Sequence, residues 1–237
     1  MEDQSFYHYF QRHLTADFKT VRVLKEDTDT KILLLRHCAG GELFVLRDFS
    51  GSSAIYRKLM TVSSEYLPRI YEVAEEAGRL LVLEEYIQGD ALDSILEQGV
   101  LPKKQVRRIM LQLCNALHVL HGFEAVHRDI KPENIILRGD EAVLIDFDAS
   151  RMQKPTKTTD TVILGTVGYA APEQYGISQT DQRADIYALG VLMNVMLTGE
   201  HPSVRLAKGH MGHVIRRCTM TNPEERYRDV SYLAEAL

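Results

Sequence analysis

Long apolar runs are missing from this 237-residue chain, and so is an excess of positive charge. No stretch reaches the ~18 consecutive apolar residues that a membrane span needs. A formal net charge of −5 argues against nucleic acid or an anionic membrane as an obligate partner. The three cysteines, Cys38, Cys114 and Cys218, lie far apart and form no C-x-x-C pair. That excludes a disulfide framework and a cysteine-based zinc site, and fits a reducing compartment. Two local gaps matter more. The connection Lys25-Glu26-Asp27-Thr28-Asp29-Thr30 contains no glycine, and no acid occurs between Phe49 and Ser64.

With 45% hydrophobic and 26% charged residues, the chain can bury a sizeable core in one domain or two lobes. Its polar chemistry gathers at His127-Arg128-Asp129-Ile130-Lys131-Pro132-Glu133-Asn134, between the short apolar segments Ala125-Val126 and Ile135-Ile136-Leu137. These flanks read as strands, and the polar residues as a tight loop in which Pro132 fixes one φ. A further buried strand, Ala142–Ile145, ends on Asp146-Phe147-Asp148. Two carboxylates and a carboxamide at the ends of neighbouring strands suit phosphoryl transfer. One carboxylate orients an attacking hydroxyl, while the other joins the amide in holding magnesium against phosphate oxygens.

The loop resembles the catalytic loop of protein kinases, H-R-D-x-K-P-x-N, and Asp146-Phe147-Asp148 resembles their D-F-G with the glycine changed. The resemblance is to eukaryotic-type serine/threonine kinase domains of bacterial style and runs from about residue 18 to the end. It implies an α+β, two-lobed fold: a small antiparallel sheet lobe over residues 1–86 and a larger, mainly helical lobe over 87–237. It further implies ATP and Mg²⁺ as cofactors and a protein substrate bearing serine or threonine. By resemblance Asp129 is the catalytic base and Lys131 lies near the γ-phosphate. Asn134 and Asp146 hold the metal, while His127 and Phe147 pack the two motifs together. Gly165–Glu173 resembles the segment that docks protein substrates, with Thr166 contacting Asp129 and Lys131. Glu173 is expected to pair with Arg226, and Asp185 to bond the catalytic-loop backbone. Residues 151–164, with Thr156, Thr158, Thr159 and Thr161, resemble an activation loop, with Arg128 placed to receive a phosphorylated residue.

Departures from the family pattern cluster near the start. Strand-like runs Phe18–Leu24, Lys31–His37 and Glu42–Arg47 suggest a meandering antiparallel sheet, but the family's glycine loop is replaced by a turn with three acids. Arg47 stands where the family has lysine, and the helix over Ala54–Val62 lacks the glutamate that would pair with it. Leu80–Gly89 resembles the strand and hinge joining the lobes. There Glu85 and Ile87 offer C=O and N–H to an adenine edge, and Glu84 guards the back of the nucleotide pocket. On neighbouring strands, Glu84 is expected to pair with Arg47 and replace the missing helix glutamate. Asp148, in the glycine's place, is expected to tolerate a positive φ and could assist magnesium.

Elsewhere Asp90 is expected to cap a helix through Glu97. Pro102 is expected to open a longer helix with Val106, Ile109, Met110, Leu113, Leu117 and Leu120 inward, Cys114 and His118 packing near that face. The chain ends inside a helical pattern, Val230–Leu237, as a piece cut from something longer would; the expected location is the cytoplasm, as a protein by itself or as the cytoplasmic domain of a longer one. Two readings stay open: an enzyme with an atypical nucleotide grip, and a pseudokinase that binds nucleotide or partners without transferring phosphate. The oligomeric state is unspecified.

Overall fold

The computed structural model describes residues 6–152, 168–175 and 180–237. The chain divides into two compact units, Met1–Ser64 with Pro68–Ile87, and Glu65–Leu67 with Gln88–Leu237. An antiparallel five-stranded sheet is followed in the chain by a mainly helical region, the expected α+β order.

In the first unit helix α1 (Phe6–Asp17) precedes β1 (Phe18–Glu26), β2 (Thr30–His37), β3 (Leu43–Ser50), helix α2 (Ala54–Leu59), β4 (Ile70–Glu76) and β5 (Arg79–Glu85). The strands pair in the order β1-β2-β3-β5-β4, every neighbour antiparallel. Strand β4 falls where the sequence analysis had no element. Its turn explains the hairpin: Ala77 and Gly78 both take positive φ, 50° and 81°, as a two-residue primed turn requires. The inner strands read as near-continuous apolar runs because both faces are covered. On one face Leu35, Leu46, Leu81 and Leu83 pack against Tyr7 and Leu14 of α1. The opposite face carries Val45, Arg47, Phe49, Val82 and Glu84, alternating with the first set as the pleat demands. Phe49 meets Tyr56 of α2 edge-on at 5.7 Å.

Helix α2 stops at Leu59, short of the expected Val62. Thr61 turns its hydroxyl back to donate to the Lys58 carbonyl, a bond that competes with helix continuation.

The second unit holds β6 (Asp90–Ala91), α3 (Leu92–Leu96), α4 (Lys103–Gly122), β7 (Ala125–Val126), β8 (Ile135–Arg138), β9 (Glu141–Leu144), β10 (Arg151–Met152), α5 (Arg183–Thr198), α6 (His210–Cys218) and α7 (Val230–Glu235). Asp90 does not cap a helix: it pairs with Leu137 in a sheet ordered β6-β8-β9, and α3 starts after Ala91 with no side-chain cap. Helix α4 buries all six residues of its expected apolar stripe together with Cys114, but His118 is exposed, not packed. Helix α5 is apolar on nearly every side and correspondingly buried, the signature of a central helix. Gly190 lets α6 approach it: a Cβ there would lie 2.4 Å from the Cβ of Cys218. Segment Glu65–Leu67 belongs here because the Tyr66 and Glu65 carbonyls accept from the Leu144 N–H and the Arg138 guanidinium.

Candidate active site

The polar loop between β7 and β8 is held from below by one buried carboxylate. Asp185, in the first turn of α5, is fully buried. Its Oδ2 accepts from the His127 N–H at 2.9 Å and bonds His121 Nε2 at 2.8 Å, while Oδ1 accepts from the Arg128 N–H at 2.9 Å. Arg128 takes φ +72°, a conformation costly for a residue with a Cβ. Its peptide is fixed on the other side as well, the Arg128 carbonyl accepting from Gln174 Nε2 at 2.9 Å. The same Gln174 side chain accepts from the Ala171 N–H at 3.1 Å.

These anchors present Asp129 with three contacts. Lys131 Nζ lies 2.9 Å from Asp129 Oδ2, and the Asn134 amide nitrogen donates to that oxygen at 3.0 Å and to the Asp129 carbonyl at 2.8 Å. The 3-10 turn Pro132–Asn134 brings the amide back to the loop's start. The Asn134 carbonyl also accepts from the Ile145 N–H at 2.9 Å, which ties this loop to the strand end carrying Asp146. Phe147 is buried against His127, ring centroids 5.3 Å apart.

The left-handed backbone falls at Asp146, φ +70°, and not at Asp148, which is not among the positive-φ residues. Aspartate in the glycine's place therefore carries no such strain, and its N–H turns back toward Asp146 Oδ1 at 3.4 Å. Among the described residues no group of three or more His, Cys, Asp or Glu is placed to hold a metal ion.

Burial pushes the His127 imidazole below its ordinary value, so it packs as a neutral ring. Burial pushes Asp185 up, but the hydrogen bond from His121, its charge and the loop N–H groups outweigh that and hold the carboxyl below its ordinary range. Glu173 and Arg226 form the expected pair, bidentate at 2.6 and 2.9 Å and buried. Arg226 also donates to the carbonyls of Met220 and Arg183 at 2.8 and 2.9 Å.

In the sheet unit, Arg47 Nε donates to Glu84 Oε1 at 2.7 Å, and both side chains are only 4% exposed. The expected pair therefore forms. Glu85 is anchored at the end of β5, its N–H donating to the Arg69 carbonyl at 2.8 Å, and Ile87 is buried. The turn without glycine closes on its own acid, Asp27 accepting from the N–H groups of Asp29 and Thr30 at 3.1 and 2.9 Å. Arg79 fastens it to the sheet, reaching the Asp29 carbonyl at 3.1 Å and Asp48 at 2.6 Å.

Residues 54–235 match the sequence profile described as the protein kinase domain. The chain belongs to the protein kinase family. It is 32% identical over 214 residues to the serine/threonine-protein kinase PknA of Nostoc, covering 80% of this chain and 38% of that protein. It is 34% identical over 167 residues to PknL of Mycobacterium tuberculosis, covering 69% and 41%, and 30% identical over 182 residues to mouse testis-specific serine/threonine-protein kinase 3, covering 75% and 67%. The chain thus spans about two-fifths of the length of these two bacterial relatives.

Two residues of this kinase's loop scaffold escaped sequence reasoning. His121 belongs to no motif in the sequence, yet its imidazole bonds Asp185 at 2.8 Å. Gln174 directly follows the Ala-Pro-Glu segment, and no spacing rule singles it out. Thr156, Thr158, Thr159, Thr161 and Thr166 lie outside the described residues, as do the contacts expected of them.

The two residues expected to hold the metal fit a hard divalent cation. Asn134 commits its amide nitrogen to Asp129, so the side chain offers its oxygen, and Asp146 offers a carboxylate. Two protein oxygens with the remainder from phosphate and water is the usual company of magnesium. No described helix is long and apolar enough to cross a membrane.

Proposed function

We propose that this kinase domain transfers the γ-phosphate of ATP to serine or threonine hydroxyls of proteins. Asp129 orients the incoming hydroxyl and accepts its proton, and Lys131 beside it places positive charge near the transferred phosphoryl group. Asn134 and Asp146 hold magnesium, which when bound offsets the charge on the phosphate oxygens. Arg47 binds phosphate oxygens, and the Glu85 C=O and Ile87 N–H take the adenine edge. Residues 1–86 serve as the nucleotide-gripping lobe and 87–237 as the catalytic lobe. Nucleic acid is not a partner of this acidic chain, and the cytoplasm is its place of action. The observation that carries the reading is the Asp129 carboxylate held at once by Lys131 and Asn134.

The competing reading is a pseudokinase, favoured by the glycine-free turn and by Arg47 in the lysine's place. Incubating the chain with magnesium, labelled ATP and a generic protein substrate, beside Asp129→Asn, separates the two. Incorporation that the substitution abolishes supports the enzyme. Incorporation unaffected by it, or none in either protein, favours the pseudokinase.

A further inference from the structure

Helix α5 is apolar on nearly every side, yet toward its C-terminal end it buries Asn194 completely. A carboxamide so placed is costly unless its polar atoms find partners. Its nitrogen donates to the carbonyls of Glu200 and Arg205, both at 2.7 Å, and its oxygen accepts from the Ala207 N–H at 2.9 Å. These partners lie in the connection between α5 and α6. Arg205 adds a bond to the Thr198 carbonyl at 2.8 Å. Just before α4, the Leu101 N–H donates to the Met196 carbonyl at 2.8 Å. A connection without helix or strand is thereby held in one shape.

That shape encloses a groove of about 600 Å³. Its apolar part is formed by Leu101, Leu197 and Leu206, each half-buried. Its cations are Lys103, Arg205 and Lys208, and no acid is among the described residues that line it. Arg205 is partly neutralised by Glu200 at 3.3 Å, whereas Lys103 and Lys208 are exposed. A second concavity of about 310 Å³ shares Leu206, Ala207 and Lys208 and adds His213 and Arg216, again with no acid among its described lining residues. On a chain of net charge −5 this is a local reversal of sign. Apolar exposure coincides with it. Among the described residues the two most exposed large apolar side chains are Val204, at 74%, and Val100, at 53%. The first lies in the connection and the second directly precedes Leu101. Apolar surface left in water beside a groove marks a place where something binds.

We propose that this groove docks an acidic segment of a partner protein, in which leucine-sized side chains are flanked by aspartate or glutamate. The leucines of the groove take the apolar side chain, and Lys103 and Lys208 meet the flanking carboxylates. A concave surface suits a peptide better than the flat face of a membrane, and its fixed shape lowers the ordering cost of binding. Docking here requires no phosphate transfer, so it stands or falls independently of the reading above.

The test is a selection of random peptides displayed on phage against the intact chain, followed by fluorescence polarisation of the enriched peptide. The enriched sequences are expected to combine aspartate or glutamate with leucine-sized residues, and their binding to weaken as salt rises. Lys103→Glu/Lys208→Glu is expected to weaken that binding at least about tenfold, and Val100→Ser/Val204→Ser about threefold. All four positions are exposed, so the thermal midpoint and ATP affinity should stay near those of the wild type. No enrichment, enriched peptides without acids, or an affinity that the charge reversal leaves unchanged overturns the proposal. So does binding of phosphatidylserine vesicles in place of peptide, which would assign the groove to a membrane. Dimers that the charge reversal disrupts, with no peptide bound, would assign it to a second copy of the chain and overturn it equally.

Discussion

The two units solve the same problem, holding a charge where water would rather have it, in different ways. In the helical unit two buried charges are tied into closed sets: Asp185 to two loop N–H groups and His121, and Arg226 to Glu173 and backbone carbonyls. In the sheet unit Arg47 meets Glu84 side chain to side chain across neighbouring strands. The family profile begins at residue 54, so the first three strands, the acidic turn and Arg47 lie outside it. The difference teaches that the helical unit's geometry depends on which residues are present. In the sheet unit, strand register brings Arg47 and Glu84 together from two different strands.

Four measurements probe that contrast, beginning with the largest effect. Asp146→Asn should lower kcat/KM on the order of 10³-fold while leaving the thermal midpoint nearly unchanged, since it removes a charge clamp but keeps the side chain's size and its tolerance of a positive φ. A loss below tenfold would mean the loop chemistry is not where the proposal puts it.

Arg226→Ala should cost about 3–5 kcal/mol of stability, because it leaves Glu173 buried without its counter-charge. Chemical denaturation measures it, and the double replacement Glu173→Leu/Arg226→Met should restore much of the loss. A cost under about 1 kcal/mol would show that the closed network is dispensable.

Acid should loosen the helical unit in two stages. The unfolded chain protonates a histidine near pH ~6.5, whereas folded His127 is held lower. Its stabilising contribution is therefore complete above that pH and is lost as pH falls toward the folded value. Asp185, likewise depressed, keeps its contribution until pH drops below the ordinary carboxylate range of ~3.9 and loses it below that. His127→Tyr should flatten the decline in denaturation midpoint between about pH 6.5 and 5. An identical slope in both proteins would remove His127 as its source.

The smallest effect belongs to the exposed turn. Changing Asp27 and Asp29 to asparagine should lower the KM for ATP about twofold at low salt, an advantage that high salt erases. A salt-independent change would point to altered turn geometry instead.

Much of the site was legible because its signals are contiguous. The loop from His127 to Asn134, the Glu173–Arg226 pair, the Asp185 anchor and the Arg47–Glu84 pair all follow from short motifs placed on strands and helices. What escaped depended on tertiary competition. Asp90 has the side chain of a cap, but pairing with Leu137 claimed its backbone for a strand. His118 and His121 lie three apart on one helix, yet the first is exposed and the second bonds Asp185, a difference that helical periodicity alone does not encode. The positive φ sits at Asp146 and not at the substituted glycine position, because the chain turns as it leaves β9.

The central claim is that Arg47, held by Glu84, is this kinase's grip on phosphate. Steady-state kinetics of Arg47→Ala against the wild type, with the thermal midpoint as control, test it most directly. The account predicts a KM for ATP raised at least about tenfold, with a smaller fall in kcat. A folded Arg47→Ala protein with unchanged KM and kcat would contradict it.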